Sequence, residues 1–190
     1  METAVESKPA MKPQGAKLRD GTAVLIRPVK PTDKSLLAKA LEQMSDRSRY
    51  HRFAMVVREL SDGQLSYLTE IDNENHVAWV AVDHSEGVER AVGVARYIRL
   101  DETSDVAEVA VAVADTHQGR GLGTILLGRL AQSARDNGVR RFLAFVCCDN
   151  APVLKLVREL GARARFLGSG MVRVTGEVPE SLDGVLESSW

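Results

Sequence analysis

Two stretches of the sequence carry residue types whose spacing could do chemistry. The first is DTHQGRGLGT, Asp115 to Thr124, in which Gly119, Gly121 and Gly123 alternate just after an apolar run. Glycines cost backbone entropy and are of use where the chain needs left-handed dihedrals or where something must approach the main chain closely. At a strand-to-helix junction, free N–H groups and the positive end of the helix dipole favour anions. A phosphate cradle and a tight turn are both open readings of the glycines alone. Two nucleotide loops do not fit. No lysine follows the glycines as GxxxxGK[ST] requires, and GxGxxG ends on Thr124 when counted from Gly119 and on Leu126 when counted from Gly121. The second stretch is VAEVAVAVA, Val106 to Ala114, with one charge, Glu108. At period two, Val109, Val111 and Val113 share a face expected in the core, and Glu108, Ala110 and Ala112 share the other. Small side chains on that second face leave room for a close-packed helix or for a ligand. A carboxylate there costs free energy unless it is paired or exposed in a cleft.

The elements that must position these residues follow from periodicity. Met1 to about Lys17 is polar, holds Pro9 and Pro13, and reads as a disordered tail. AVLIRPV (Ala23 to Val29) reads as a strand. PTDKSLLAKALEQM follows as a helix with apolar residues at helical spacing, and SDGQLSYLTEI as a shorter helix opened by Ser61 or Asp62. His76 to Asp83 and Arg90 to Leu100 read as strands joined by a turn. Val106 to Ala114 is a strand, Gly121 to Asn137 a helix, RRFLAFVCC a strand, and NAPVLKLVREL a helix with Asn150 as N-cap and Pro152 in its first turn. ARARFLG and MVRVTGE close the chain as two strands. Strand–helix alternation in the second half implies parallel strands at the centre, and the hairpins on either side imply antiparallel ones, so the sheet is expected to be mixed.

The 190 residues suit one domain, and 25 basic against 26 acidic residues provide no global field for nucleic acid or an anionic membrane. No run approaches the roughly 20 apolar residues of a membrane span, and no signal-peptide core is present, so a cytoplasmic location is expected. The only cysteines, Cys147 and Cys148, are adjacent and suit neither a structural disulfide nor a metal site, and both are expected to be largely buried. No metal is expected.

The pattern that the loop does satisfy is Q-x-x-G-x-G, met by Gln118, Gly121 and Gly123. It resembles the acyl-CoA-binding signature of the GNAT acetyltransferases, and the resemblance runs from about Lys17 to Val178. NAPVLKLVRELGA resembles a second signature, N-x-x-A-x-x-L-Y-x-x-x-G-F, through Asn150, Leu156 and Gly161, with Val157 in place of tyrosine and Ala162 in place of an aromatic residue. The resemblance implies an α/β fold with a mixed sheet of about six to seven strands flanked by about four helices, and CoA bound where the central parallel strands splay. It implies a 17–178 acetyltransferase domain between a 1–16 tail and a 179–190 tail. It assigns the CoA pyrophosphate to the amides of Gln118, Gly119, Arg120, Gly121, Leu122, Gly123 and Thr124, with the Arg120 side chain as an added charge. It assigns the pantetheine arm to Val111, Ala112 and Val113, and places Asn150 at the cofactor. Family strands often carry a bulge at this point.

The resemblance also implies a role for Glu108. An amine with a pKa of about 10.4 is almost wholly protonated at neutral pH, and attack on a thioester needs its neutral form. Glu108 occupies the position that many members give to the general base. The tyrosine that protonates the departing thiolate is replaced by Val157, and a thiol of pKa about 8.5 leaves competently without it. His117 is expected to be a solvated loop residue. Arg47, Arg49, Arg52, Arg58, Tyr50, His51 and Phe53 read as an amphipathic connector, and SRYHRF within it resembles the bacterial Pat-type protein-lysine acetyltransferases. That branch implies an acceptor lysine on an AMP-forming acyl-CoA synthetase. From the 190 residues, regulation by a fused domain, as in many such enzymes, is not expected. Two other readings remain open: acetylation of a small amine (an amino acid, polyamine or aminoglycoside), or a CoA-binding module with weak turnover.

Overall fold

The computed structural model describes residues 11–53 and 58–180. Eight strands form one sheet in the order β1-β2-β3-β4-β5-β6-β8-β7. They are β1 (Gln14–Lys17), β2 (Ala23–Pro28), β3 (His76–Asp83), β4 (Arg90–Arg99), β5 (Val106–Val113), β6 (Arg141–Cys147), β7 (Arg163–Gly168) and β8 (Met171–Glu177). Five α-helices accompany them: α1 (Lys34–Glu42), α2 (Asp46–Phe53), α3 (Asp62–Thr69), α4 (Leu122–Asp136) and α5 (Ala151–Glu159). Every strand pair is antiparallel except β5 with β6. The sheet is mixed as expected, with more strands and one more helix than the sequence pattern predicts.

The additions have local causes. Gln14–Lys17 was expected in the tail, yet it pairs with Ala23–Ile26 across a turn held by Leu18 N–H on Thr22 O (2.8 Å) and Thr22 N–H on Asp20 Oδ1 (3.1 Å). Polar, half-exposed hairpins of this kind show no apolar periodicity. The expected connector contains α2, whose first turn opens on Ser45, where the hydroxyl accepts from Ser48 N–H (3.2 Å). Its remaining residues 54–57, most of the N-terminal tail (1–10) and residues 181–190 lie outside the described residues.

Helices α1 and α3 cover one face of the sheet, packing on Ala78, Val80 and Val82 of β3. Helix α4 covers the other, where Leu122, Leu126 and Leu130, four residues apart, are fully buried against Trp79, Ala95 and Tyr97. Helix and sheet approach so closely that a Cβ on Gly93 would lie 2.8 Å from Leu126 Cδ1. Trp79 Nε1 donates to Ser133 Oγ of α4 at 3.0 Å, so the buried indole keeps a partner. α5 lies on the same face as α4, with Val157 among the side chains packed on Val146, Val172 and Val174. Cys147 is buried but Cys148 is exposed, because adjacent strand residues face opposite ways and the exposed member sits at the strand end.

Candidate active site

Strand β5 is paired with β4 without interruption from Ala107↔Arg99 to Val113↔Gly93. The expected bulge is not in β5. Register shifts lie between β3 and β4, at Ala81/Val82, and between β7 and β8, at Phe166/Gly168, so the period-two assignment of β5 faces holds to its end. On its other edge β5 pairs with β6 only at Val106↔Arg141, Ala107↔Phe142 and Glu108↔Leu143. From there the two strands diverge, each ending in a helix: β5 leads to α4 and β6 to α5.

Two bonds to β4 fix which groups line this opening. Ala114 N–H donates to Val92 O (2.9 Å), and Leu100 N–H donates to Val106 O (3.1 Å). Even-numbered residues of β5 therefore direct their main chain to β4, and odd-numbered ones direct it to the β6 side. Beyond Glu108, the amides of Val111 and Val113 face the opening with no strand opposite among the described residues. Val113 O is held by Gln118 Nε2 at 3.1 Å. Ala112 has its main chain on β4, so of the three expected strand contacts it alone turns its peptide away from the opening. Its methyl instead lines a cavity of about 80 Å³ with Leu37, Leu41, Arg52, Arg96 and Ala110. The small side chains on this face of β5 thus leave a void beneath the helices.

At the carboxyl end of β5 the glycine loop folds into the start of α4. Gly119 (φ 72°) and Gly121 (φ 87°) are left-handed, whereas Gly123 is already helical. Gly121 is the N-cap and has no side chain to offer, so the amides of Leu122, Gly123 and Thr124 have no acceptor within the helix, whose first bond runs from Ile125 N–H to Gly121 O (3.1 Å). A Cβ on Gly123 would sit 3.7 Å from Val113 Cγ2, at ordinary contact, so the fold itself does not require that glycine.

The charged side chain expected at this loop is elsewhere. Arg120 Nη1 is bound to Asp20 Oδ2 at 2.6 Å, in the β1–β2 turn, so that Arg120 offers the loop its main chain. Arg19, which the sequence did not single out, lies against Gly121, its Nε 3.5 Å from where a Cβ would be, and its N–H donates to Arg120 O (3.1 Å). Gln118, besides holding Val113 O, donates to Ser48 Oγ (3.1 Å). His117 is buried rather than solvated, 3.7 Å from Asp83 Oδ2, and burial, reinforced by the Arg120 charge, lowers its pKa. It ties the loop to the end of β3.

Helix α2 bridges the two sides of the opening. Ser45 N–H and Oγ and Ser48 Oγ donate to Asp115 (2.9, 2.9 and 2.7 Å) on the β5 side. His51 Nε2 meets Asp149 Oδ1 (3.0 Å) on the β6 side, where Asn150 caps α5 by accepting from Val153 N–H at 3.5 Å. Burial alone would raise the Asp115 pKa, but these donors hold it below its ordinary value. No sequence motif announced the bridge, because its serines and acids lie about 70 residues apart in the chain.

Glu108 stands exposed where β5–β6 pairing ends, on the face shared with α2. Arg52 of α2 interacts electrostatically with it; burial lowers the Arg52 pKa and the Glu108 charge opposes that shift. Behind Arg52, Arg96 is buried with Leu68 O (3.3 Å) and His76 Nε2 (3.0 Å) as partners, and burial together with the Arg52 charge pushes its pKa down to about 9. Among the described residues no cluster of side chains suits a metal ion, and no helix is long and apolar enough to cross a membrane.

A fork between two parallel strands, with a helix amino terminus beyond each strand, is a ligand-binding crevice by topology. Its uncapped amides suit a phosphate, its open strand edge an amide-bearing arm, and Glu108 a proton transfer. This is the architecture of an acyl-CoA-dependent transferase. Residues 42–162 match the model of the Acetyltransferase (GNAT) family, and the chain belongs to that family. It is 35% identical over 167 residues to "Acetyltransferase Pat" of Mycolicibacterium smegmatis, an alignment covering 88% of this chain and 49% of that protein. The chain thus spans about half the length of that relative. It is also 35% identical over 144 residues to "Acetyltransferase PA5475" of Pseudomonas aeruginosa, covering 76% of this chain and 77% of the relative. Among solved structures, the GNAT domain of S. lividans PAT superposes with a TM-score of 0.78 at 31% identity, over 87% of this chain and 96% of that one.

Proposed function

We propose that the protein transfers the acetyl group of acetyl-CoA to lysine ε-amines of a protein acceptor, with an AMP-forming acyl-CoA synthetase as the acceptor class. The observation that carries the reading is the fork itself: Glu108 at its base, the amides of Val111 and Val113 along one edge, and the uncapped start of α4 at its mouth. Bound acetyl-CoA supplies an acetyl group activated as a thioester. The amides of residues 119–124 hold its pyrophosphate at the positive end of the α4 dipole. The Val111 and Val113 edge holds the pantetheine arm, and a strand N–H there polarises the thioester carbonyl. Glu108 takes the proton from the incoming ammonium group, directly or through water, and so makes the neutral amine available. Val157 is packed into the sheet and has no proton to give, so the thiol's own acidity makes it a leaving group. The similarity to Pat supports the protein acceptor.

A second reading, a small-amine acceptor, draws on the cavity beside Arg52 and Arg96. Mass spectrometry separates the two, after incubation with acetyl-CoA and either a deacetylated lysate or a panel of amines. Transfer to lysines of acyl-CoA synthetases is expected; transfer to free amines alone would replace the first reading by the second. Glu108→Gln should lower kcat about 10²–10⁴-fold with little change in acetyl-CoA affinity, and the deficit should shrink as pH rises and more amine is neutral unaided. A variant within about threefold of the unaltered enzyme at pH 7 would remove Glu108 from the base role.

A further inference from the structure

Past the fork, the β6-β8-β7 part of the sheet is covered by α5 on one face, and no described element covers the other. The register shows what that other face presents. Glu108 pairs with Leu143, Leu143 with Thr175, and Thr175 with Arg163; in the next row Phe145 pairs with Arg173, and Arg173 with Arg165. Paired residues share a face, so Phe145, Arg163, Arg165 and Arg173 all lie on the Glu108 side. Phe145 is 45% exposed, and the three arginines are exposed. Among the described residues, none of the three forms an ion pair with a carboxylate. Arg165 and Arg173 stand directly opposite each other across two strands, an arrangement of like charges that destabilises the sheet. α2 borders the surface, with Tyr50 O 3.9 Å from Cys147 Sγ.

An exposed aromatic side chain flanked on its β8–β7 side by three arginines has the composition of a protein interface rather than of ordinary surface. A two-fold contact with a second copy would set the three arginines against their own images, so the complement must be acidic. We propose that this face docks the acceptor protein through aspartate and glutamate side chains flanking the target lysine, with Phe145 as the apolar contact. The inference rests on the protein-lysine reading above and adds to it the charge of the acceptor surface.

The test uses two fluorescent lysine peptides, identical except for Asp/Glu or Asn/Gln flanks, titrated with the acetyl-CoA-loaded protein and followed by anisotropy. The acidic peptide should bind about tenfold or more tightly at low salt, and high salt should erase the difference. R163E/R165E/R173E should reverse the preference toward a Lys-flanked peptide while melting temperature and acetyl-CoA affinity stay unchanged. If the triple variant does not fold, Arg173→Gln should still lower affinity for the acidic peptide alone. Equal binding of both peptides, or indifference to these substitutions, overturns the proposal. So does loss of self-association as the sole effect, or competition by an RNA oligonucleotide but not by the acidic peptide. Acetylation is read in parallel: a peptide that binds by charge but is never acetylated leaves the docking surface standing and removes the lysine-transfer reading.

Discussion

The two edges of β5 consist of the same eight residues, VAEVAVAV, yet one is continuous and the other stops after three pairs. Toward β4, the even-numbered residues are bonded into an uninterrupted ladder. Toward β6, the N–H groups of Val111 and Val113 have no strand opposite them among the described residues, and at the ends of the two strands lie the uncapped amides of α4, the α5 cap at Asn150, and Glu108. The most buried ion pair of the closed half is matched internally. Arg27 is bidentate to Asp33 at 2.7 and 2.9 Å, with Glu89 at 2.8 Å, and all of these bonds lie within the fold. In the open half the free N–H groups face the gap between β5 and β6. Unsatisfied main chain next to a fully satisfied ladder marks a site better than any one side chain does.

The largest effect should come from the closed half. Burial alone would raise the Asp33 pKa, but hydrogen bonds from Arg27 and the Lys30 N–H hold it below the ordinary carboxylate range. Asp33→Ala leaves Arg27 buried beside the half-exposed Glu89 and should lower stability by about 3–5 kcal/mol in denaturant unfolding. Acetyl-CoA affinity of the folded protein should not change. Because the folded pKa is depressed, the contribution of Asp33 is full above the ordinary carboxylate range and is lost as pH falls through its folded value. The variant should therefore lose less stability on acidification than the unaltered protein. A change in cofactor affinity as large as the change in stability would break the division between the two halves.

That division explains what could be read from the sequence. The glycine loop, the lone carboxylate of β5 and the Asn150 cap are local patterns, and the structure puts them at one fork. β3 begins and ends where its apolar run does, at His76 and Asp83. The parts that did not show depend on distant partners. β1 has no apolar period, and its place is set by pairing with β2. α2 is polar along most of its length and is anchored by Asp115 and Asp149, roughly 70 and 98 residues away. Arg120 lies between the fixed positions of the motif, but its side chain answers to Asp20, and Arg19 takes the place beside Gly121 through a hairpin that the pattern did not show.

A smaller effect is expected at the mouth of the fork. Gly121→Ala would strain a left-handed residue and confound folding with binding, whereas Gly123→Ala enters a helical position at ordinary contact with Val113. Gly123→Ala should leave melting temperature unchanged or slightly raised and weaken acetyl-CoA binding by about 1–3 kcal/mol in calorimetry, as a methyl group pressed into an occupied space does. Unchanged affinity would take the pyrophosphate away from this loop. The smallest effect belongs to Asn150→Asp, which keeps a competent cap but exchanges an amide donor for a carboxylate. A few-fold rise in the acetyl-CoA KM at constant stability is expected. A loss of stability with unchanged kinetics would make Asn150 a helix cap and nothing more.

The central claim is that the open edge of β5 and the start of α4 are the cofactor's seat, and amide hydrogen exchange followed by NMR reads both directly. Adding acetyl-CoA should slow exchange at Val111, Val113 and Gly119 through Thr124. Ala110 and Ala112, already bonded to β4, should stay as they were. Protection that alternates along a single strand can come only from a ligand lying on one edge of it. Exchange unchanged at Val111 and Val113, with protection appearing instead around Arg52, Arg96 and the cavity they line, would contradict the account.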